Sequence, residues 1–278
     1  MRRLNLISSI LTFVIRNPKA LLIALLVGGL SYSYEVFIAR DTMAFAGIPK
    51  AMDNSIPTYT RIFRNSAYMV GYSDIKGNPL WVVYKLTPPS ENAPRLKRPE
   101  NFNADWRNFG FIDSNDYTNS GYDRGHMAPN HAISLLYGKQ AQIETFLMTN
   151  ITPQKPSLNQ KLWQRLEEIE LESFTSKFKE LWVYTGPLFD EKTTHLKSSR
   201  FVEIPDAFYK IYAGIEENGT IKVLAVIVPQ NARTNDRIEK YIVSIDEVER
   251  RSGFDFLHQL EDSLEIILEK EINLAPWF

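Results

Sequence analysis

Apolar residues in the stretch 156–178 recur at spacings of three and four, at Leu158, Leu162, Leu166 and Ile169. That period predicts an amphipathic helix. Asn159, Trp163 and Glu167 occupy the neighbouring stripe, and eight residues at ~3.6 per turn set Asn159 and Glu167 two turns apart on nearly one side. Trp163 is assigned to packing. Runs rich in β-branched and aromatic residues predict strands at 68–73, 80–86, 146–150, 181–184, 208–215 and 221–228. Two of the links are rich in turn residues, Asp74-Ile75-Lys76-Gly77-Asn78 and Glu216-Glu217-Asn218-Gly219-Thr220, and read as hairpins. Near the end, Ser244 with Glu247 three residues on reads as a helix N-cap, and 256–271 as a further helical stretch. No internal repeat or low-complexity linker interrupts the pattern. It describes one mixed α+β domain built on an antiparallel sheet.

The first residues are different. After Arg2 and Arg3 the chain is apolar to Ile15, Arg16-Asn17-Pro18-Lys19 interrupts, and residues 20–30 are an unbroken apolar and small-residue run. Eleven residues resemble a signal-peptide core more than a full membrane span of about 20. Extension through Tyr34 lengthens the run before Glu35 ends it, Ser31-Tyr32-Ser33 and Ala44-Phe45-Ala46 both fit a small-x-small cleavage site, and the basic lead-in favours retention as an anchor. The expected division is a signal or membrane-anchor segment at 1–45 and a catalytic domain at 46–278.

Composition narrows the chemistry. The chain has 278 residues and no cysteine, so disulfides and thiolate metal sites are excluded. Its four histidines, His126, His131, His195 and His258, form no cluster in sequence. Net charge is −1, with five basic and one acidic side chains in residues 1–40 and eleven acidic and five basic in residues 235–271. The body is therefore acidic, which a general nucleic-acid binder is not, and any phosphate contact must be local. Arg95, Lys97 and Arg98 make one basic loop that could provide it, as could Arg107.

Against that background Asp123-Arg124-Gly125-His126 stands out, with Asn159 following His126 by 33 residues. Phosphodiester hydrolysis needs a base for the attacking water and positive charge for the phosphoryl and leaving oxygens. A histidine of ordinary pKa about 6.5 can be that base near neutral pH. The Arg124 guanidinium fork matches phosphate oxygens. Gly125 permits a tight turn or close approach. The Asn159 amide oxygen suits Mg²⁺, an ion that keeps most of its water and takes few protein ligands.

The blocks SGYDRGHMAPN, ETFLMTNITPQ and LNQKLWQRLE, in that order and at short spacings, resemble the DNA/RNA non-specific endonuclease family, nucleases of the ββα-metal superfold. Further echoes are GYSDIKGNPLWVVYKL, TGPLF, IPDAFYKI and SIDEVERRSGFDF, so the resemblance covers roughly residues 59–260. It implies an α+β ββα-metal fold, with an antiparallel mixed sheet flanked by helices, after the N-terminal hydrophobic segment. It implies His126 as general base, Arg124 as transition-state stabiliser, Asn159 as direct metal ligand and Glu167 as holder of a metal-bound water. Asn150 matches a position that lines the active site and helps position groups there, and Asp123 reads as an orienting and structural residue. Related chains often carry an arginine one turn after the glutamate, where this one has Leu171, which puts phosphate contact from this helix in doubt and leaves Arg165 or Lys161 as substitutes. The expected substrates are DNA and RNA, contacted in addition by Arg95, Lys97 and Arg98. The expected cofactor is Mg²⁺, with Mn²⁺ or Ca²⁺ as alternatives. The expected place is the bacterial cell envelope, periplasmic or secreted, or held in the inner membrane by the N-terminus. The alternative is a catalytically inactive, membrane-tethered nucleic-acid-binding protein of the same fold.

Overall fold

The computed structural model describes residues 12–190 and 192–278, in two units divided between Thr42 and Met43. In the first, the helix Pro18–Tyr34 starts at Asn17, whose side chain accepts from the Lys19 and Ala20 amides, and Pro18 sits where its missing N–H is harmless. The helical stretch continues to Met43, 26 residues in all, and an 18-residue window within it has a mean hydropathy of 1.8. It is thus longer than the eleven-residue core the sequence suggested, because Ser31 to Tyr34 and the turn after Glu35 keep helical geometry.

In the second unit the strands are β1 (Lys50–Ala51), β2 (Arg61–Arg64), β3 (Tyr68–Ser73), β4 (Asn78–Leu86), β5 (Asp123–His126), β6 (Ile151–Gln154), β7 (Glu180–Leu188), β8 (His195–Leu196), β9 (Ser199–Glu203), β10 (Ala207–Ile215), β11 (Ile221–Pro229), β12 (Ile242–Val243) and β13 (Phe254–Asp255). Seven of them form one antiparallel sheet in the order β12-β11-β10-β7-β4-β3-β2. Both expected hairpins are present, β3 to β4 and β10 to β11.

The sheet is buried on both faces, because successive side chains of a strand point to opposite sides. Tyr68, Val70, Tyr84, Val183, Phe208 and Tyr212 pack with Leu158, Leu162, Trp163 and Leu166 of the motif helix. The alternate set, including Met69, Val83, Tyr184, Tyr209 and Ile211, packs with Ile245, Val248, Phe256 and Leu268 of the C-terminal segment. Hence the strands read as near-continuous apolar runs.

Two expected elements differ. The strand at 146–150 is instead a single tight turn, Met148–Asn150, leading into β6. The helix at 256–271 is shortened to Asp262–Lys270, since Leu257 takes a left-handed φ of 58°. A helix Asn130–Thr145 and the short strand β5 had no clear periodicity. Gly138 kinks that helix with a φ of 80°, which breaks the apolar spacing.

Candidate active site

β5 and β6 form a separate two-stranded ribbon pairing Gly125 with Thr152 and His126 with Ile151. Thr152 ties the ribbon to the central sheet by donating its hydroxyl to Asn78 Oδ1 at 2.7 Å. Arg124 and His126, two residues apart, share one face of β5. The helical stretch 158–174 follows the ribbon. It is wound with π turns at Leu158–Trp163 and Glu170–Phe174 around an α-helical middle. In an ideal α-helix eight residues overshoot two full turns by roughly 80°. The wider i→i+5 winding rotates less per residue and brings Asn159 and Glu167 closer to one line than α geometry would.

These pieces enclose a cavity of about 300 Å³ lined by Arg98, Arg124, His126, Asn130, His131, Asn159, Gln160, Gln164 and Glu167. A larger hollow of about 540 Å³ lies elsewhere, between residues 51–60 and Ile75, and Asp53 is its one charged lining group, so it offers no comparable chemistry. In the smaller cavity three buried polar atoms have no partner: His126 Nε2, Arg124 Nε and Asn130 Oδ1. Such atoms are normally satisfied, and their convergence on one hollow marks a place built for a polar ligand.

The His126 ring is clasped by two aromatic rings, Phe102 with centroids 5.4 Å apart and Phe146 at 4.9 Å. Burial in this apolar clasp, reinforced by the Arg98 charge, pushes its pKa down to about 3, so the imidazole is a free base throughout the neutral range. Arg98 lies over the other partner, its Cζ 4.9 Å from the Phe146 ring centre. Arg124 is anchored through Nη2, which donates to the Ser114 carbonyl and to Thr118 Oγ1.

Asp123 does not face the cavity chemistry directly. Its Oδ2 accepts from Asn159 Nδ2 at 2.9 Å and from Gln160 Nε2 at 2.8 Å. The amide of Asn159 is thereby oriented, and its Oδ1 stays available as an acceptor. Glu167 has its pKa pushed up to about 8, first by burial; Lys210 and Arg98 oppose that rise and Glu170 adds to it. This carboxyl is therefore mostly protonated at neutral pH.

Asn150 is fully buried and outside the cavity lining. Its Oδ1 accepts from the Ala128 amide at 2.8 Å, and its Nδ2 donates to the carbonyls of Ala128 at 3.1 Å and Thr145 at 2.9 Å. It staples the turn just after His126 to the end of the helix Asn130–Thr145. Of the three basic loop residues, Arg98 alone reaches the cavity. Arg95 and Lys97 point to solvent away from it, and Lys97 pairs with Glu100 at 2.6 Å. Leu171 is buried, and Arg165 donates to the Asp236 carbonyl on another side of the helix, so neither it nor Lys161 takes the place of the expected arginine in the cavity. Asn130, Gln160 and Gln164 were not singled out from sequence. Gln160 and Gln164 sit one and five residues after Asn159, and helical geometry around that residue was the signal that could have found them.

A family model described as DNA/RNA non-specific endonuclease matches residues 50–263. A nuclease of Nostoc sp. is 30% identical over 220 residues, 74% of this chain and 76% of that one. Mitochondrial endonuclease G of Homo sapiens is 29% identical over 215 residues, 73% of this chain and 71% of that one. A solved structure of EndoG in complex with EndoGI is similar with a TM-score of 0.61 and 25% identity, over 74% of this chain and 89% of that chain.

Proposed function

Because this chain belongs to the DNA/RNA non-specific endonuclease family and is a nuclease by that membership, we propose that it hydrolyses internal phosphodiester bonds of DNA and RNA with His126 as general base. In this reading the attacking water gives its proton to His126 Nε2. The unpartnered Arg124 Nε edge and the Arg98 guanidinium accept the charge that grows on the phosphoryl oxygens. Asn150 is a positioning residue that fixes the backbone carrying the imidazole. Asn159 Oδ1 would be the direct ligand of a divalent cation, and Glu167 would hold one of its waters.

The donor set fits such an ion: a neutral amide oxygen and a carboxylate, oxygen only, suit Mg²⁺, Mn²⁺ or Ca²⁺. When bound, the cation would supply positive charge to the phosphate and the leaving oxygen. The observation that carries the reading is the convergence of three unpartnered buried polar atoms with Asn159 and Glu167 on one cavity.

We place residues 1–45 as signal or anchor and 46–278 as the catalytic domain, in the bacterial cell envelope and facing outward. Plasmid and RNA digestion with Mg²⁺, with and without EDTA, tests the chemistry. His126→Ala is expected to lower the rate by ~10² or more, and EDTA to abolish it. A wild type that binds nucleic acid yet cuts under no divalent ion would favour a catalytically inactive binding protein instead.

A further inference from the structure

Within the segment from Phe102 to Ser114 several residues exchange their usual places. Its polar residues Asp105 and Asn108 are 2% and 1% exposed, while Trp106, Phe109 and Phe111 are 88%, 71% and 80% exposed. The loop is held at many points. Asp105 accepts from Thr149 Oγ1 at 2.6 Å and pairs with Arg107 at 2.7 Å. The Phe109 amide donates to Asp74 at 2.7 Å, and Ile112 is buried in a small core with Tyr117 and Ile151. Phe111 holds a left-handed φ of 49°, unusual for a bulky residue. A fixed loop that buries Asp105 and Asn108 while presenting three large rings to solvent marks an interaction surface.

Both ends of this loop are fastened to the cavity. Phe102 packs on the His126 ring, and the Ser114 carbonyl takes the Arg124 guanidinium. Trp106 follows Phe102 by four residues and Phe111 precedes Ser114 by three, so their backbones lie within about 14 Å and about 10 Å of those two anchors. The rings are therefore a few nucleotides from any phosphate held between His126 and Arg124. The nearby cations do not serve phosphate: Arg61 is paired with Asp74 at 2.6 Å and lies 3.8 Å from the Phe109 ring centre, and Arg107 is paired with Asp105. What the patch offers is ring faces with little net charge.

Resting on the cleavage reading above, we propose that Trp106, Phe109 and Phe111 are a stacking platform for unpaired bases flanking the scissile phosphate, so that single strands and melted segments are the favoured substrates. Bases inside a duplex have their faces covered by their neighbours. Unpaired bases do not, and stacking on protein rings tolerates any sequence.

The five tryptophans permit a direct test. Trp81, Trp163, Trp182 and Trp277 are buried and Trp106 is exposed, so quenching of emission by an added strand reports on Trp106. In the full chain carrying His126→Ala, short oligothymidylate is expected to quench the emission, and the quench is expected to vanish in Trp106→Leu. In the chain with His126 intact, the combined change Trp106→Ala, Phe109→Ala and Phe111→Ala is expected to lower the single-strand over duplex preference in kcat/KM by about tenfold or more. Circular dichroism and thermal unfolding of that variant check that it folds, and Trp106→Leu alone serves if it does not. Oligonucleotide binding without quenching, or an unchanged preference, overturns the platform and leaves the patch to a protein partner. Quenching by a strand that the wild type never cuts overturns the cleavage reading and leaves the platform standing.

Discussion

Gly125 occupies a position with no room for a side chain. An added Cβ would lie 2.1 Å from Gln154 Oε1 and 2.5 Å from its Cδ, across the ribbon that carries His126. The close approach anticipated for this glycine is to a neighbouring strand. Gly125→Ala is expected to cost about 1–3 kcal/mol through overpacking and to displace the imidazole, read as a lower denaturant midpoint together with reduced cleavage. His126 makes a second residue-scale prediction. Its pKa falls from 6.5 to about 3 on folding, so between those values the unfolded chain binds a proton that the folded chain does not. Stability contributed by the neutral ring is complete above 6.5 and is lost as pH falls toward 3. Denaturant unfolding across that range should show a flatter pH slope for His126→Gln than for the wild type. The ordinary histidine value assumed from sequence fails here because Phe102 and Phe146, distant in the chain, strip water from the ring.

The helical stretch that offers Asn159 and Glu167 rests on a buried charge network. Glu170 and Lys210 form an ion pair with both side chains fully buried. Tyr84 and Tyr212 each donate to Glu170 at 2.9 Å, and Lys210 Nζ lies 4.8 Å from the Trp163 ring centre. The network joins the helix to β4 and β10 one turn beyond Glu167. Removing one partner leaves an uncompensated buried charge, so Glu170→Gln or Lys210→Met is expected to cost roughly 3–5 kcal/mol. The pair of changes together should cost less than the sum of the two, a coupling that a double-mutant cycle on unfolding free energies measures. Periodicity made the helix and its functional stripe legible in the sequence. It gave no hint that Glu170 and Lys210, forty residues apart, would neutralise each other, because that pairing exists only where helix and sheet meet.

For the molecule as a whole, the open question of place turns on the first unit. A helical stretch of 26 residues from Pro18 to Met43, with an 18-residue window of mean hydropathy 1.8 and its central apolar side chains exposed, is long enough to span a bilayer, which takes ~20 residues. Expressed as the full chain, the protein is expected in the membrane fraction, resisting high salt and alkaline wash and released by detergent. A mature N-terminus at Tyr34 or Gly47, read by mass spectrometry, would rule out the anchor. What the linear chain determined by itself were properties of local pattern: strands and hairpins from β-branched and aromatic runs and turn residues, the motif helix from its three-and-four spacing, and the chemistry of Arg124, His126 and Asn159 from residue type. Tertiary structure alone decided which basic residue enters the cavity, Arg98 and not Arg95 or Lys97, and turned Asn150 from the lining to the staple behind it. It also set the proton affinities of His126 and Glu167. Each of these depends on distance, burial and orientation between segments remote in sequence, and those quantities come into being only when the chain packs.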